Sequence, residues 1–141
     1  METREFAESD RPALREIYLD SRKYAFDWVE GSPFRADDFD RDTEGELIWV
    51  AAEEDRPVGF ISVWEQENFI HNLFVRPEFT ARGIGSALLE KALGNIGRPA
   101  ALKCGAMNTR ARDFYLSRAW TIVGEGDSEH GKYLLMQFDD L

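Results

Sequence analysis

A chain of 141 residues with 43% hydrophobic side chains has the size and apolar content of one domain, 1–141, with its own core. Its 27 acidic residues against 17 basic ones leave a formal charge of −10, which works against nucleic acid or an anionic membrane as partner, because both require a basic footprint. Four Trp, four Tyr and ten Phe exclude a disordered chain. The one cysteine, Cys104, excludes an intrachain disulfide and a cysteine-built zinc site, and two histidines, His71 and His130, are too few for a histidine-rich metal centre, so no metal is expected. The first residues lack the basic and apolar regions of a secretory leader, and no apolar run reaches membrane-spanning length. The expectation is a soluble, cytoplasmic protein.

In chain order, Glu2 to Ala7 reads as a first strand, and Ser9-Asp10-Arg11-Pro12 as a helix start with a polar cap and proline in the first turn. Leu14, Ile17 and Tyr18 follow at helical spacing and carry that helix to about residue 24. From Phe26 to Glu46 the aromatics Phe26, Trp28, Phe34 and Phe39 mix with carboxylates, and Ser32-Pro33 is a candidate cap for a second short helix. Two readings stand for this segment. It is a solvated connection whose aromatics tuck onto the core, or a substrate wall whose aromatics and carboxylates hold an ammonium group.

Leu47 to Ala52 and Val58 to Trp64 form a hairpin about the turn Glu53 to Pro57, and Gln66-Glu67-Asn68 turns the chain into a third strand, Phe69 to Val75. Pro77 ends that strand. A short turn then delivers Arg82-Gly83-Ile84-Gly85-Ser86 into a helix with Ile84, Ala87, Leu88 and Ala92 on one face, ending near Gly94 or Gly97. A strand from Pro99 to Cys104 completes a βαβ crossover, whose two strands should be parallel. Asn108 is a natural cap for a helix carrying Ala111, Phe114, Tyr115 and Leu116. Trp120 to Val123 and Lys132 to Phe138 read as two closing strands joined by an acidic turn, Glu125 to Gly131.

The glycine-rich turn is the first place where chemistry is expected. N–H groups in a helix's first turn have no intrahelical acceptor and sit at the positive end of the macrodipole, so they attract phosphate oxygens. Gly83 and Gly85 place no Cβ between such an anion and the main chain, and Arg82 can add a charged fork. A lone Gly-x-Gly also occurs for packing alone. The P-loop is excluded because neither glycine precedes a lysine, and the dinucleotide fingerprint because Leu88 stands where a third small residue is needed.

Leu73-x-Val75-x-Pro77 followed by Thr80-x-x-Gly83-x-Gly85 and a Leu-rich helix resembles motif A of the GCN5-related N-acetyltransferase (GNAT) family, with Thr80 in place of the usual Gln or Arg. Asn108, Ala111 and Phe114-Tyr115 resemble its motif B, with Ala119-Trp120 replacing a Gly-Phe step. The resemblance implies an α/β (α+β) fold of the acyl-CoA N-acyltransferase type, a mixed, mostly antiparallel sheet of about seven strands flanked by about four helices. It also implies an enzyme that moves an acetyl group from acetyl-CoA to an amine of a small molecule, amino acid or peptide by direct attack. The alternative is a non-catalytic acyl-CoA-binding regulatory module. An edge strand leaves monomer and homodimer both open.

Carried over position by position, the resemblance has the main chain of Leu73, Phe74 and Val75 pairing with the pantetheine arm where the two central strands splay. The amides of Arg82, Gly83, Ile84, Gly85 and Ser86 cradle the pyrophosphate, Asn108 contacts pantetheine or phosphate, and Tyr115 lies near the sulfur. The Val75 N–H then suits a carbonyl oxygen gaining charge, and the Tyr115 hydroxyl a departing thiolate, which makes Tyr115 the general acid. His71 is the candidate base, since imidazole titrates near pH 6.5 and, without a bulge, would share Leu73's side of the strand. A histidine hydrogen-bonded within the sheet is the other reading. Glu65 and Glu67 are bases through water at best, His130 reads as surface, and Cys104 as a buried small residue. The carboxylates of 26–46 and 125–131 suggest a cationic acceptor.

Overall fold

The computed structural model describes residues 1–25, 34–129 and 131–140. The apolar, β-branched runs pair into one open seven-stranded sheet in the spatial order β1-β2-β3-β4-β5-β7-β6. Its strands are β1 (Glu2–Glu5), β2 (Leu47–Glu53), β3 (Arg56–Trp64), β4 (Phe69–Val75), β5 (Ala100–Gly105), β6 (Thr121–Ser128) and β7 (Gly131–Phe138). Every neighbouring pair is antiparallel except β4 with β5, the pair joined by the crossover. Among the described residues four helices flank the sheet, α1 (Arg11–Ala25), α2 (Asp38–Asp42), α3 (Ile84–Leu93) and α4 (Thr109–Leu116). Among the described residues no helix is long and apolar enough to cross a membrane.

Two apolar clusters define the layers. Leu14, Ile17 and Tyr18 of α1 and Phe39 of α2 pack on Val50 and Phe60 on one face of the sheet. Ile84, Leu88, Leu89 and Ala92 of α3 pack with Trp49, Ile61, Val63 and Leu102 on the other. Leu88 is fully buried. Truncating such a leucine to alanine costs about 2–5 kcal/mol, so this stripe is what pins α3 to the sheet.

Of the two caps that the start of α1 offers, Asp10 rather than Ser9 is the anchor, and it ends a single 3-10 turn, Glu8–Asp10, ahead of the helix. Its carboxylate accepts the Ala7 N–H at 2.9 Å and takes both terminal nitrogens of Arg4 at 2.7 and 2.8 Å, which ties β1 to the helix. The second short helix lies at Asp38–Asp42. Phe26, Trp28 and the Ser32-Pro33 cap fall outside the described residues. Phe34 and Phe39 are buried, as the core-tucking reading requires. The intervening acids form a charge seam to α1: Asp40 binds Arg11 at 2.9 Å and Arg15 at 2.5 Å, and Asp38 binds Arg22 at 3.3 Å.

The acidic turn before β7 is shorter than expected, because β6 runs on to Ser128. Glu125 and Asp127 are strand residues whose carboxylates stay in solvent while their main chain sits opposite Leu134 and Lys132. Polarity suggested a loop there, but the carboxylates occupy an exposed face of an edge strand, which solvates them equally well.

Candidate active site

The central parallel pair is the source of the site. β4 and β5 pair only at Phe69 with Ala101 and Ile70 with Leu102. Beyond that point β4 continues to Val75 on β3 alone, and β5 to Gly105 on β7 alone. The parting coincides with a bulge. Ser62 of β3 lies opposite Asn72 and the next residue, Val63, lies opposite Ile70, so His71 is an extra residue in β4. A bulge bends its strand and adds twist, and here the bend falls where contact with β5 ends. Leu73 and Val75 thus present main-chain groups that no strand pairs on their β5 side, in the middle of a sheet, while the main chain of Phe74 between them turns to Phe60 of β3.

A cleft of about 370 Å³ opens at this gap. Leu102 to Gly105 and Ile70 to Phe74 line it from the strands. Asn108, Ala111 and Tyr115 of α4 close one side, and Tyr18, Arg22, Arg41 and Asp42 the other. Leu73 packs with the α3/α4 cluster and Phe74 with the α1/α2 cluster, so the cleft joins the two faces of the sheet. Val75 and the residues Arg82 to Ser86 do not line it; they lead away along the start of α3.

Tyr115 reaches the cleft from the last turn of α4, with its ring edge-on to Trp120 at 5.6 Å and to Phe114 at 5.1 Å. Burial pushes its phenol well above the ordinary tyrosine range, with Cys104 adding a smaller push, so the hydroxyl keeps its proton. Asn108 is the helix cap expected of it: its side-chain oxygen accepts the Ala111 N–H at 3.1 Å. That commits the oxygen and leaves the amide nitrogen as the end available to a ligand. Cys104 is buried and its thiol is pushed up by that burial, in keeping with a packing role.

The bulge revises the placement of His71. Ile70 and Leu73, three positions apart, both pack into the α3/α4 cluster, so His71 does not share Leu73's side of the strand. Its ring turns instead to Glu46, whose carboxylate takes the Nδ1 proton. The same contact raises the imidazole above its ordinary value; burial and Lys103 oppose it, and Asp42 adds to it. Phe69 holds the ring edge-on at 5.1 Å. Glu46 entered the sequence reading only as the last of the 26–46 carboxylates, although it has the parity of Ile48 and Val50, both packed on the α1/α2 face.

On the α1/α2 side, the Tyr18 hydroxyl donates to Asp42 at 2.7 Å, and Arg22 lies over the Tyr18 and Phe34 rings at 4.5 and 4.0 Å. The carboxylate of Asp42 therefore reaches the cleft although the neighbouring aromatics belong to the core. Glu129 lines the cleft from the β6–β7 turn; His130 falls outside the described residues.

The glycine turn leads into α3 as expected. Gly83, with φ +78°, is the residue before the helix, and the first-turn N–H groups follow it. Arg82 does not fork over these amides, because its guanidinium lies 5.1 Å from the centre of the Phe79 ring. Thr80 turns its hydroxyl back to the Pro77 carbonyl at 2.9 Å, a local bond in place of a long side chain. The charge near the helix start comes from Arg118, which donates to the Ser86 hydroxyl at 2.5 and 3.0 Å and lies 3.9 Å over the Phe114 ring. Three positions after Tyr115, it was legible only as a surface arginine.

Comparison with known proteins agrees with this geometry. Over 91 residues, 55% of this chain and 60% of the other, the sequence is 40% identical to an uncharacterized N-acetyltransferase of Archaeoglobus fulgidus. It is 29% identical over 93 residues, 62% of this chain and 61% of the other, to the peptidyl-lysine N-acetyltransferase YiaC of Escherichia coli. The matches thus span less than two thirds of either relative. The fold is similar to that of the PaiA N-acetyltransferase of Thermoplasma acidophilum, solved in complex with coenzyme A, with a TM-score of 0.75, 19% identity and 96% of each chain covered. Residues 8–119, from the turn before α1 to the end of the α4 region, match the acetyltransferase (GNAT) family, and the chain belongs to it.

Proposed function

We propose that this protein is an N-acetyltransferase that takes an acetyl group from acetyl-CoA and gives it to an amine of a small molecule, amino acid or peptide. The observation that carries the reading is the parting of β4 from β5 after two paired positions, which leaves an internal strand edge beside a cleft open to both faces. Pantetheine is an extended arm with two amide groups. It can supply to Leu73 and Val75, on either side of Phe74, the hydrogen bonds that β5 withholds, in the manner of an added strand. The residues fit the rest of the cofactor: the amides from Arg82 to Ser86 suit a pyrophosphate, Arg118 brings a guanidinium to Ser86, and the Asn108 amide nitrogen faces the cleft.

In this reading the acceptor enters from the α1/α2 face. An aliphatic amine of lysine type titrates near 10.4 and arrives as ammonium, so it must lose a proton before its lone pair can attack. The free nitrogen of His71 takes that proton. The new C–N bond forms as the C–S bond breaks, the second proton leaves the acylated nitrogen through water for the departing sulfur, and the Val75 N–H steadies the carbonyl oxygen while it carries charge. The departing sulfur leaves as a thiolate. A thiol titrates near 8.5, below a buried phenol, so Tyr115 first donates a hydrogen bond to the sulfur, and the thiolate gains its proton fully on reaching water. A lysine side chain is suggested as the acceptor by the name of YiaC; the Asp42 carboxylate at the α1/α2 mouth is already held by Arg41 at 3.0 Å and by the Tyr18 hydroxyl at 2.7 Å, so the charge there does not by itself select a cation.

The test combines binding and turnover. Acetyl-CoA and CoA, but not ATP, should raise the thermal midpoint, since a ligand that binds only the folded state stabilises it by mass action. Thiol release from acetyl-CoA should then depend on an added amine from a panel of lysine peptides, free amino acids and polyamines. Stabilisation without thiol release for any amine would support the non-catalytic acyl-CoA-binding module instead. No stabilisation by either CoA compound would overturn both.

A further inference from the structure

We infer that Glu46 is a positioning residue for the transfer reaction, fixing which nitrogen of His71 carries a proton and presenting the other to the acceptor. This rests on the reading of His71 as the base.

Three observations support it. The Glu46 side chain is 2% exposed, whereas His71 is 46% exposed and lines the cleft, so the pair runs from the interior to the site. With Nδ1–H donated to the carboxylate, the proton-free lone pair of a neutral ring lies on Nε2. Phe69, edge-on at 5.1 Å, limits rotation about that bond. The carboxylate is also poorly served as a purely structural group, because its Oε1 is buried without a hydrogen-bond partner among the described residues. A buried unsatisfied oxygen is a cost that an apolar side chain at position 46, beside Ile48, would avoid.

The placement is built. The chain leaves α2 through Thr43, whose hydroxyl donates to the Phe39 carbonyl at 2.7 Å, and the Glu46 N–H returns to the Thr43 carbonyl at 3.0 Å. This turn delivers Glu46 from the far side of β3 to His71 on β4. The charges facing His71 are Glu46 before β2, Asp42 at the end of α2 and Lys103 on β5. Lys103 opposes the imidazolium, and its nitrogen sits 4.8 Å from the Tyr133 ring. Glu46 alone of the three touches the ring, so it governs the basicity. In the reaction one proton passes from the acceptor nitrogen to Nε2, the imidazolium is balanced by the Glu46 charge, and the proton leaves to water after product release.

Glu46→Gln tests this, because the amide keeps an acceptor oxygen for Nδ1–H and removes only the charge. The titration of the His71 ring is followed by NMR in the protein without ligands, and kcat/KM is followed against pH. The expected result is a fall in the His71 midpoint, an equal downward move of the acid limb of kcat/KM, and a loss of about tenfold or more in kcat. Glu46→Leu, which also removes the acceptor, should release the ring tautomer and lose more, and it serves if the glutamine variant folds poorly. A His71 midpoint and an acid limb that both ignore Glu46→Gln would overturn the inference. His71→Ala with an unchanged rate and profile would remove the base role itself. A profile that depends on His71 and not on Glu46 removes only the inference made here.

Discussion

Gly83 and Gly85 occupy equivalent places in the motif, yet the structure assigns them opposite responses to the same substitution. At Gly83 the backbone has φ +78°, and an added Cβ would meet nothing within 4 Å. Gly83→Ala therefore carries no steric cost, only the left-handed penalty of about 1–2 kcal/mol for an L-residue. Gly85 lies inside the first turn of α3, and its Cβ would touch the Phe114 ring at 3.6 and 3.7 Å, ordinary contact distances. There alanine gains up to about 1 kcal/mol of helix propensity. The two variants should differ by roughly 2 kcal/mol, or about 6 °C in thermal midpoint for a domain of this size. Thermal unfolding by circular dichroism, in the absence of CoA, measures the difference. Gly83→Ala should melt below the parent and Gly85→Ala at or above it. If Gly85→Ala melts as low as Gly83→Ala, the second glycine is needed for packing, and the argument that its openness leaves room for a phosphate fails.

Other consequences are equally direct. Tyr115→Phe should lower kcat by about 10²-fold. It should leave stability within about 0.5 kcal/mol, because the hydroxyl has no hydrogen bond to a described residue. A variant with full turnover would remove the donor role. Arg118→Ala should weaken CoA binding about tenfold in a titration, the size of one charge-assisted hydrogen bond, while leaving the unliganded midpoint unchanged. Asp10 is 4% exposed, and Arg4 holds its carboxyl below the ordinary value of 3.8. The pair therefore stabilises the fold above that pH, and the contribution is lost as pH falls through the lower folded value. Asp10→Ala should cost about 1–3 kcal/mol at neutral pH and flatten the stability curve below about pH 4. A parallel downward shift of the whole curve would contradict that linkage.

The sheet and helices were legible where apolar residues keep a clean period. Phe69 to Val75, the Ile84-Leu88-Ala92 stripe and the Asn108 cap are local signals, and each element formed where its pattern stands. β6 was cut short because its second half is glycine and carboxylate, a composition that serves an exposed edge strand as well as a turn. The site was legible only in part. Leu73, Phe74, Asn108 and Tyr115 were placed by motif and meet at the cleft. The bulge at His71 has no glycine or proline to announce it, since it follows from the register of β4 against β3. Glu46 was grouped with the acids before it, although alternation with Ile48 and Val50 put it on a buried face. Arg118 carries no local signal, because its value lies in reaching Ser86 from another helix.

Acetyl-CoA is proposed to lie in the gap between β4 and β5 with its phosphates on the start of α3. Backbone amide NMR during an acetyl-CoA titration tests this placement most directly. The largest shifts are expected at Leu73, Phe74 and Val75 and from Arg82 to Ser86, with saturation at one equivalent. Shifts confined to the second cavity, of about 420 Å³ beside Ser21, Arg56 and Arg76, or no saturable shift in β4, would contradict it.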